Sequence, residues 1–328
     1  MQPFPSVPET PHDGDDGDNE ARHSAQFEQR YEDLTQHGHI KLSTLSLVLG
    51  RVCFEKIWSR HALFETRRQG VFPILSRLVL EADPVPVSFT APLDGHGRIQ
   101  LAHERALDGT VRALFMNAYG EIWARRSRRQ PGSENHRLLS ATPNHADGPV
   151  AVAPAPREYT RIGRAFGEHV FTKPFGPAAE RKMLRFEVPG QPELPSAVYA
   201  RSSTLQTLAL PETARALDAS FSADDTAWVF GLTHTDANQH VNSLVYVRSF
   251  EEAVLRRLAR HTDSGKLLAR RIDLNYRKPC FAGERMICML RSYACADEFG
   301  ASGYLAPEGV GQERAHCSFQ LRLRSVPS

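Results

Sequence analysis

The feature that most constrains this chain is a junction between a strand-like and a helix-like segment in its second half. Residues 226–232 are apolar and rich in β-forming side chains, whereas residues 241–261 carry apolar side chains at helical spacing. Asp236, Asn238 and His240 lie between the two segments. The sequence therefore predicts three polar side chains on a loop, beside the unpaired N–H groups that open a helix.

The residues at this junction follow a known motif. From Asp236 to Asn242 the chain reads Asp-x-Asn-x-His-Val-Asn, and Tyr246 and the acidic pair 251–252 follow in the predicted helix. This pattern resembles the motif of the hot-dog-fold thioesterases, and above all that of the plant-type acyl-acyl-carrier-protein thioesterases. Those enzymes hold two hot-dog domains in one chain, with the motif in the second. The resemblance implies an α+β double hot-dog fold, in which two units of antiparallel β-sheet each wrap around a long central helix.

Catalytic roles for the side chains of the motif are also implied by the resemblance. Hydrolysis of a thioester uses a carboxylate that takes a proton from water or attacks directly, and Asp236, Glu251 and Glu252 are the candidates. Asn238 would orient the water or the carbonyl group. His240 would serve as a hydrogen-bonding or proton-transfer partner.

The backbone at the start of the helix is expected to bind the carbonyl oxygen of the substrate. This oxygen becomes negatively charged during attack, and N–H groups at a helix N-terminus stabilise such a charge without rearranging. We expect these donors to be the N–H groups of Val241 and Asn242, with Tyr246 as a further substrate-binding residue. The expected substrate, and therefore partner, is an acyl-carrier-protein or coenzyme A thioester.

One position departs from the plant-type pattern. Residues 272–284 are similar to the strand and turn that follow the hot-dog helix, and in the plant enzymes a catalytic Glu follows a Tyr-Arg-Arg in this strand. Here the corresponding residue is Pro279, which has neither a carboxylate nor an N–H group. A catalytic carboxylate must come from elsewhere, and the sequence leaves Asp236, Glu251 and Glu252 open.

Other interpretations of the same residues stay open. Asp236 or Asn238 could simply cap the helix, and Cys280 could act as a nucleophile with His240 and Asn238. A metal set of His234, His240 and Asp236 lacks further ligands at readable spacing, so we expect no metal. Nucleotide-binding motifs are missing, so no cofactor is expected. Transfer of the acyl group to an acceptor other than water, or binding of acyl chains or carrier proteins without catalysis, are the alternatives to hydrolysis.

Composition narrows the class of protein. The 328 residues suffice for two domains, and 41% of them are hydrophobic. A formal net charge of +2 predicts no general affinity for nucleic acids or membranes. The five cysteines have no paired spacing, which is typical of reduced thiols in the cytoplasm. We therefore expect a cytoplasmic protein, for which pairing into a homodimer stays open.

The chain divides into four predicted regions. Residues 1–37 are acidic and poor in apolar side chains, so they are expected to form a disordered tail. Residues 38–126 are predicted to form the N-terminal hot-dog unit, which lacks the motif. Residues 127–196 are rich in Pro, Ala and Arg at their start and are predicted to form an irregular linker. Residues 197–328 are expected to form the C-terminal hot-dog unit that carries the motif.

Each unit is predicted to contain a helix and a run of antiparallel strands. In the first unit, we expect a strand over residues 41–50, a long helix over residues 52–79, and later strands over residues 98–106 and 111–125. Strands after the motif helix are expected near residues 268–278, 284–296, 300–306 and 312–324.

Overall fold

The structure is a computed structural model that describes residues 3–5, 20–90, 92–125 and 159–326. Its β-strands are β1 (Glu20–Phe27), β2 (Phe72–Ala82), β3 (Leu93–Arg105), β4 (Val111–Arg125), β5 (Tyr159–Thr172), β6 (Ala197–Val198), β7 (Arg215–Ala216), β8 (Ser222–Ala223), β9 (Trp228–Val229), β10 (Leu267–Tyr276), β11 (Arg285–Cys295), β12 (Glu298–Ala306) and β13 (Cys317–Ser325). Its α-helices are α1 (Leu42–Leu45), α2 (Thr204–Leu208) and α3 (Ser243–Leu258).

Other helical segments are short or irregular. A π-helix spans Leu49–Ile57. The 3₁₀-helices in the described ranges are Tyr31–Asp33, Trp58–Arg60, Ala62–Gln69, Ala178–Glu180, Leu232–His234, Ser264–Lys266 and Gln312–Arg314. Of all the helices in these ranges, none is both long enough and apolar enough to cross a membrane.

One continuous sheet contains the described strands. The main path of neighbouring strands is β1-β3-β4-β5-β2-β10-β13-β12-β11-β7, with β6 added beside β3, and β8 and β9 beside β11. The halves of the chain meet where β2 pairs antiparallel with β10, with Leu80 opposite Ile272 and Leu78 opposite Leu274. These four side chains are buried, so the joint between the halves is part of the hydrophobic core.

The longest regular helix, α3, packs on the sheet of the second half. Tyr246, Val247, Phe250 and Val254 recur at helical spacing and are buried. The ring of Phe250 stacks on Phe319 of β13, with ring centroids 4.0 Å apart. This contact holds the helix over the sheet, so the residues just before α3 have a defined position.

The helical part of the first half differs from the predicted long helix. It is broken into α1, the π-helix and 3₁₀ turns, and the last part of the predicted helix, from Phe72 onward, is strand β2. The predicted strand over residues 41–50 is also wrong, because α1 and the start of the π-helix occupy it. The π-helix and the residue before it lie close to the sheet, since a Cβ atom at Gly97 would overlap Val52 and one at Gly120 would overlap Val48.

Strands occupy parts of the regions that were expected to form a disordered tail and an irregular linker. Residues 20–27, expected to be disordered, form the edge strand β1 along β3, and Phe27 packs on the core. The rest of the acidic tail lies outside the described residues, apart from residues 3–5. Part of the predicted linker is strand β5, which pairs with both β2 and β4, whereas residues 126–158 lie outside the described residues.

Residue 197, the predicted start of the second unit, opens the short strand β6. Ala197 and Val198 pair in parallel with β3. The chain then follows the sheet face that lies opposite the core, where the Tyr199 hydroxyl donates a hydrogen bond of 2.7 Å to the buried carboxylate of Glu168. Buried polar side chains need hydrogen-bond partners, and the segment after β6 provides one for Glu168.

Candidate active site

The loop that carries the motif is a tight turn directly before α3. Its ends are joined by an antiparallel bridge between Thr235 and Val241. Inside the turn, the Asp236 N–H donates to the His240 carbonyl at 3.0 Å. The Asn242 side chain then caps α3, since its Oδ1 atom accepts a hydrogen bond of 2.9 Å from the Leu244 N–H. The structure thus places the motif at the strand-to-helix junction where the sequence predicts it.

A strained residue shapes this turn. Gln239 has a φ angle of 63°, in the left-handed region that non-glycine residues seldom adopt. It stands directly between Asn238 and His240 in the chain. Such strain tends to occur at functional sites, where the surrounding structure holds it in place.

The carboxylate of Asp236 is exposed but fixed. Its Oδ1 atom accepts a hydrogen bond of 2.9 Å from the Asn238 N–H, and Oδ2 lies 3.4 Å from the Asn242 side-chain nitrogen. This turn holds the carboxylate beside the start of α3. The cap of α3 is Asn242, so the interpretation of Asp236 or Asn238 as the cap is wrong.

The side chains of Asn238 and His240 stay available for a ligand. Asn238 is exposed and His240 is partly exposed. Among the residues that the structure describes, neither side chain has a hydrogen-bond partner. The His240 ring packs edge-on against the Phe281 ring, with ring centroids 5.2 Å apart. Two polar groups next to a fixed carboxylate are an arrangement that can position water and a carbonyl group.

The expected oxyanion donors are both occupied. The Val241 N–H donates to the Cys280 carbonyl, and the Asn242 N–H donates to the His234 carbonyl, each at 2.9 Å. Buried backbone donors are normally satisfied in this way. Within the described part of the chain, the Ser243 N–H has no such partner, so the first turn of α3 still has one open donor.

Tyr246 supports the loop that follows β10. Its side chain is buried, and its hydroxyl accepts a hydrogen bond of 3.1 Å from the Cys280 N–H. Burial raises the pKa of this hydroxyl well above its ordinary value. The structure therefore gives Tyr246 a bracing contact, and its predicted contact with substrate stays a prediction.

The acidic residues of α3 lie away from the motif. Glu251 is nine residues beyond Asn242, which corresponds to about 13 Å along a helix axis. Glu252 is exposed, and its carboxylate lies 3.9 Å from Arg256 on the next turn. The structure brings Asp236, Asn238 and His240 together and keeps the two Glu residues apart from them.

The Glu251 carboxyl is nevertheless unusual. Its Oε1 atom is buried and, within the described residues, has no hydrogen-bond partner. Burial raises the pKa of Glu251 to about 7, although the nearby charges of Lys41 and Arg248 act to lower it and Glu252 acts to raise it. The carboxyl lies beside Lys41, which precedes α1, so it stands at the contact between the helices of the two halves.

This buried carboxyl should make stability depend on pH. The ordinary pKa of 4.5 applies in the unfolded chain, and the value of about 7 in the folded chain, so the folded chain binds more protons between these pH values. Glu251 should therefore contribute a fall of at most about 3 kcal/mol in the free energy of unfolding as the pH rises from about 4.5 to about 7. The buried imidazole of His169, whose pKa burial lowers to about 4, acts in the opposite direction, so the test is the difference between two proteins. Relative to the unaltered protein, Glu251→Gln should gain up to that amount of stability across this range in urea unfolding. The same pH dependence in both proteins would contradict the assignment.

The helix cap supports a further prediction. Asn242→Ala removes the acceptor for the Leu244 N–H and should lower the free energy of unfolding by about 1 kcal/mol. Asn242→Ser keeps a side-chain oxygen as cap acceptor without placing a second carboxylate beside Asp236, so it should restore most of the loss. Urea unfolding of the three proteins measures this, and equal stability of the Ala variant and the unaltered protein would contradict the capping role.

The structure does not group the residues of two alternative sites, the Cys280 nucleophile and the metal site at His234. Cys280 Sγ lies 3.6 Å from His316 Nδ1 and, within the described residues, makes no hydrogen bond with His240; burial raises the pKa of its thiol to about 11. His234 Nδ1 accepts a hydrogen bond from the Gly231 N–H. In the described residues, His234 is not grouped with His240 and Asp236 at a spacing that suits a metal ion. Sequence reasoning missed both His316 and the contact of Phe281 with His240, because the partners are far apart in the chain.

Solved thioesterase structures resemble this chain over nearly its whole length. A protein from Lactobacillus plantarum, provisionally named an oleoyl thioesterase, is 15% identical with a TM-score of 0.57, over 94% of this chain and 98% of its own. The 12:0-ACP thioesterase from Umbellularia californica is 11% identical with a TM-score of 0.57, over 93% and 94%. An acyl-ACP thioesterase from Bacteroides thetaiotaomicron is 13% identical with a TM-score of 0.50, over 92% and 98%.

Sequence comparisons add nothing to these likenesses. No protein-family model matches the sequence, and no curated protein matches it. Structural likeness at such low identity shows the fold and leaves the chemistry to the site. The chain therefore has the hot-dog fold that these thioesterases share.

Proposed function

We propose that this protein hydrolyses an acyl thioester, carried by acyl carrier protein or coenzyme A, at the loop before α3. The observation that carries the proposal is the geometry of that loop. The fixed carboxylate of Asp236 lies at the N-terminus of a helix, with the side chains of Asn238 and His240, which have no hydrogen-bond partner among the described residues. We further propose that the two halves of the sheet are two hot-dog units in one chain.

The proposed reaction assigns one role to each group. The Asp236 carboxylate takes a proton from a water molecule, whose oxygen attacks the thioester carbon. Asn238 and His240 orient the water and the carbonyl. The Ser243 N–H, the open donor of the first turn, stabilises the oxyanion. The carbon–sulfur bond then breaks, the sulfur of the carrier leaves as a thiol with the proton that Asp236 took from water, and the free acid is released.

The proposed setting is the cytoplasm, in fatty acid or polyketide-type metabolism. All five cysteines are free thiols, which suits a reducing compartment. Two of the similar structures are named as acyl-ACP thioesterases, and this supports an acyl carrier as the natural form of the substrate. Which acyl chain is used depends on the side chains that line its pocket.

A second candidate function has one observation in its favour. Pro279 stands where the plant-type pattern has a catalytic Glu, so the fold could bind acyl chains or carrier proteins without turning them over. Such a protein would bind an acyl carrier with the same affinity before and after Asp236→Asn, and it would release no thiol.

Hydrolysis can be tested by the fate of oxygen. The protein would be incubated with acyl-carrier-protein and acyl-coenzyme A thioesters in water enriched in heavy oxygen, and the products analysed by mass spectrometry. Hydrolysis places one heavy oxygen atom in the free acid. An acylated amine or alcohol without the label would identify a transferase instead. Intact thioester with every carrier would overturn the proposal in favour of binding alone.

A further inference from the structure

Three side chains that can bind metals lie together next to the motif loop. Cys280 and Glu284 come from the loop between β10 and β11, and His316 directly precedes β13. One ligand atom from each, the thiol sulfur, a carboxylate oxygen and an imidazole nitrogen, lie within 4.8 Å of one another. Residues 280 and 316 are far apart in the sequence, so the fold itself creates this group.

The spacing of the sulfur and nitrogen suits a tetrahedral ion. In zinc sites the metal lies about 2.3 Å from sulfur and about 2.0–2.1 Å from nitrogen, so tetrahedral angles put the two ligands about 3.6 Å apart. The observed distance between Cys280 Sγ and His316 Nδ1 is 3.6 Å. A thiolate with an imidazole prefers zinc-class ions, whereas magnesium and calcium prefer oxygen ligands alone.

We propose that Cys280, Glu284 and His316 form a binding site for a zinc-class divalent ion, with a fourth position left for water. Zinc binds at such mixed sulfur, nitrogen and oxygen sites. The site is distinct from the metal set considered from the sequence, since it contains none of His234, Asp236 and His240.

Neighbouring groups hold the ligands in place. The Cys280 N–H donates to the Tyr246 hydroxyl at 3.1 Å, and the Glu284 carboxylate accepts a hydrogen bond of 2.9 Å from the Phe281 N–H. His316 Nδ1 lies 3.0 Å from the Pro279 carbonyl, so it donates a hydrogen bond there when protonated. An ion would replace that proton and the proton of the thiol, and binding should therefore strengthen as the pH rises.

The site touches the motif loop from two directions. The Cys280 carbonyl accepts the Val241 N–H at 2.9 Å, and the Phe281 ring packs against His240 at 5.2 Å. An ion that fixes residues 280–284 would therefore also fix the residues on which the motif loop rests. Binding of the ion should therefore raise the midpoint temperature of thermal unfolding of the protein.

Cobalt(II) is the probe for the first test. The full chain without an affinity tag would be titrated with cobalt(II), and absorbance would be recorded in the near ultraviolet and the visible. A tetrahedral site with one cysteine should give a thiolate-to-cobalt charge-transfer band, together with intense visible bands that zinc abolishes. Absence of the charge-transfer band in the unaltered protein would overturn the proposal.

Single substitutions test whether the charge-transfer band arises from cobalt bound at Cys280. Cys280→Ser should abolish the charge-transfer band, while Cys295→Ser, which alters a partly exposed thiol outside the site, should keep it. If Cys280→Ser fails to fold, His316→Ala and Glu284→Gln provide the same test, and each should lower the affinity for cobalt at least about tenfold. A band that survives Cys280→Ser, or that disappears in Cys295→Ser, would mean adventitious binding elsewhere and overturn the site.

Discussion

Asp236→Asn is expected to lower kcat/KM for thioester hydrolysis by about 10²–10⁴-fold, the usual range for loss of a general base. Asparagine keeps the side-chain oxygen that accepts the Asn238 N–H, so the turn should hold its shape. What is lost is the negative charge and the ability to take a proton. Rates of free-thiol release at several substrate concentrations measure the change, and unfolding curves confirm that the variant is folded.

Two further variants sharpen this test. Asp225→Asn makes the same chemical change at an exposed carboxylate paired with Arg260, outside the motif loop, and should leave kcat/KM unaltered. Glu251→Gln tests the competing carboxylate, whose raised pKa would suit a general base. If Glu251→Gln caused the large loss and Asp236→Asn caused none, Glu251 would be the base and the proposed role of Asp236 would be wrong.

Asp273→Ala is expected to lower the free energy of unfolding by about 3–5 kcal/mol. The Asp273 carboxylate on β10 binds Arg77 on β2 through two hydrogen bonds, of 2.6 and 2.9 Å. The two side chains are only 5% and 3% exposed, so removal of the acid leaves a guanidinium buried without this partner. The pair also joins the two halves of the sheet. Urea unfolding measures the loss.

A surface pair provides the comparison. Asp297 and Arg324 lie 2.6 Å apart but are 62% and 50% exposed, so Asp297→Ala should cost less than about 1 kcal/mol. Replacing both buried partners, as in Arg77→Met with Asp273→Leu, should recover much of the loss, because no unpaired charge remains. Equal costs for Asp273→Ala and Asp297→Ala would contradict the role of burial.

The second half of the chain was the more predictable from sequence. The apolar spacing of residues 241–261 matches helix α3, and the next three strands lie within two residues of their predicted positions. The last strand, β13, begins five residues later than predicted, because a 3₁₀-helix over Gln312–Arg314 precedes it. There, helical spacing and turn residues point to the same elements as the tertiary packing does.

The first half was harder because its local patterns conflict with its tertiary structure. Residues 72–82 form an apolar run interrupted by polar side chains, which suits a helix as well as the strand β2 that it forms. Strand β5 has buried polar side chains such as Glu168 on the face opposite the core, so it does not show simple alternation. The π-helix packs closely on Gly97, and Val48 just before it packs on Gly120; such contacts between distant residues cannot be inferred from one sequence.

The position of the candidate site was predicted, but its hydrogen bonds were not. The motif places Asp236, Asn238 and His240 before a helix, as observed. The Val241 N–H is bound by the Cys280 carbonyl, which arrives from a distant loop. Contacts between residues so far apart depend on how β10 and α3 pack, and no local pattern encodes them.

Free-thiol release from a panel of acyl-carrier-protein and acyl-coenzyme A thioesters tests the central claim most directly. The unaltered protein and Asp236→Asn would be compared at equal concentration, with acyl chains of several lengths on each carrier. We expect release with at least one thioester by the unaltered protein and a loss of about 10²–10⁴-fold in the variant. No release with any thioester, or equal release by both proteins, would contradict a thioesterase site at Asp236.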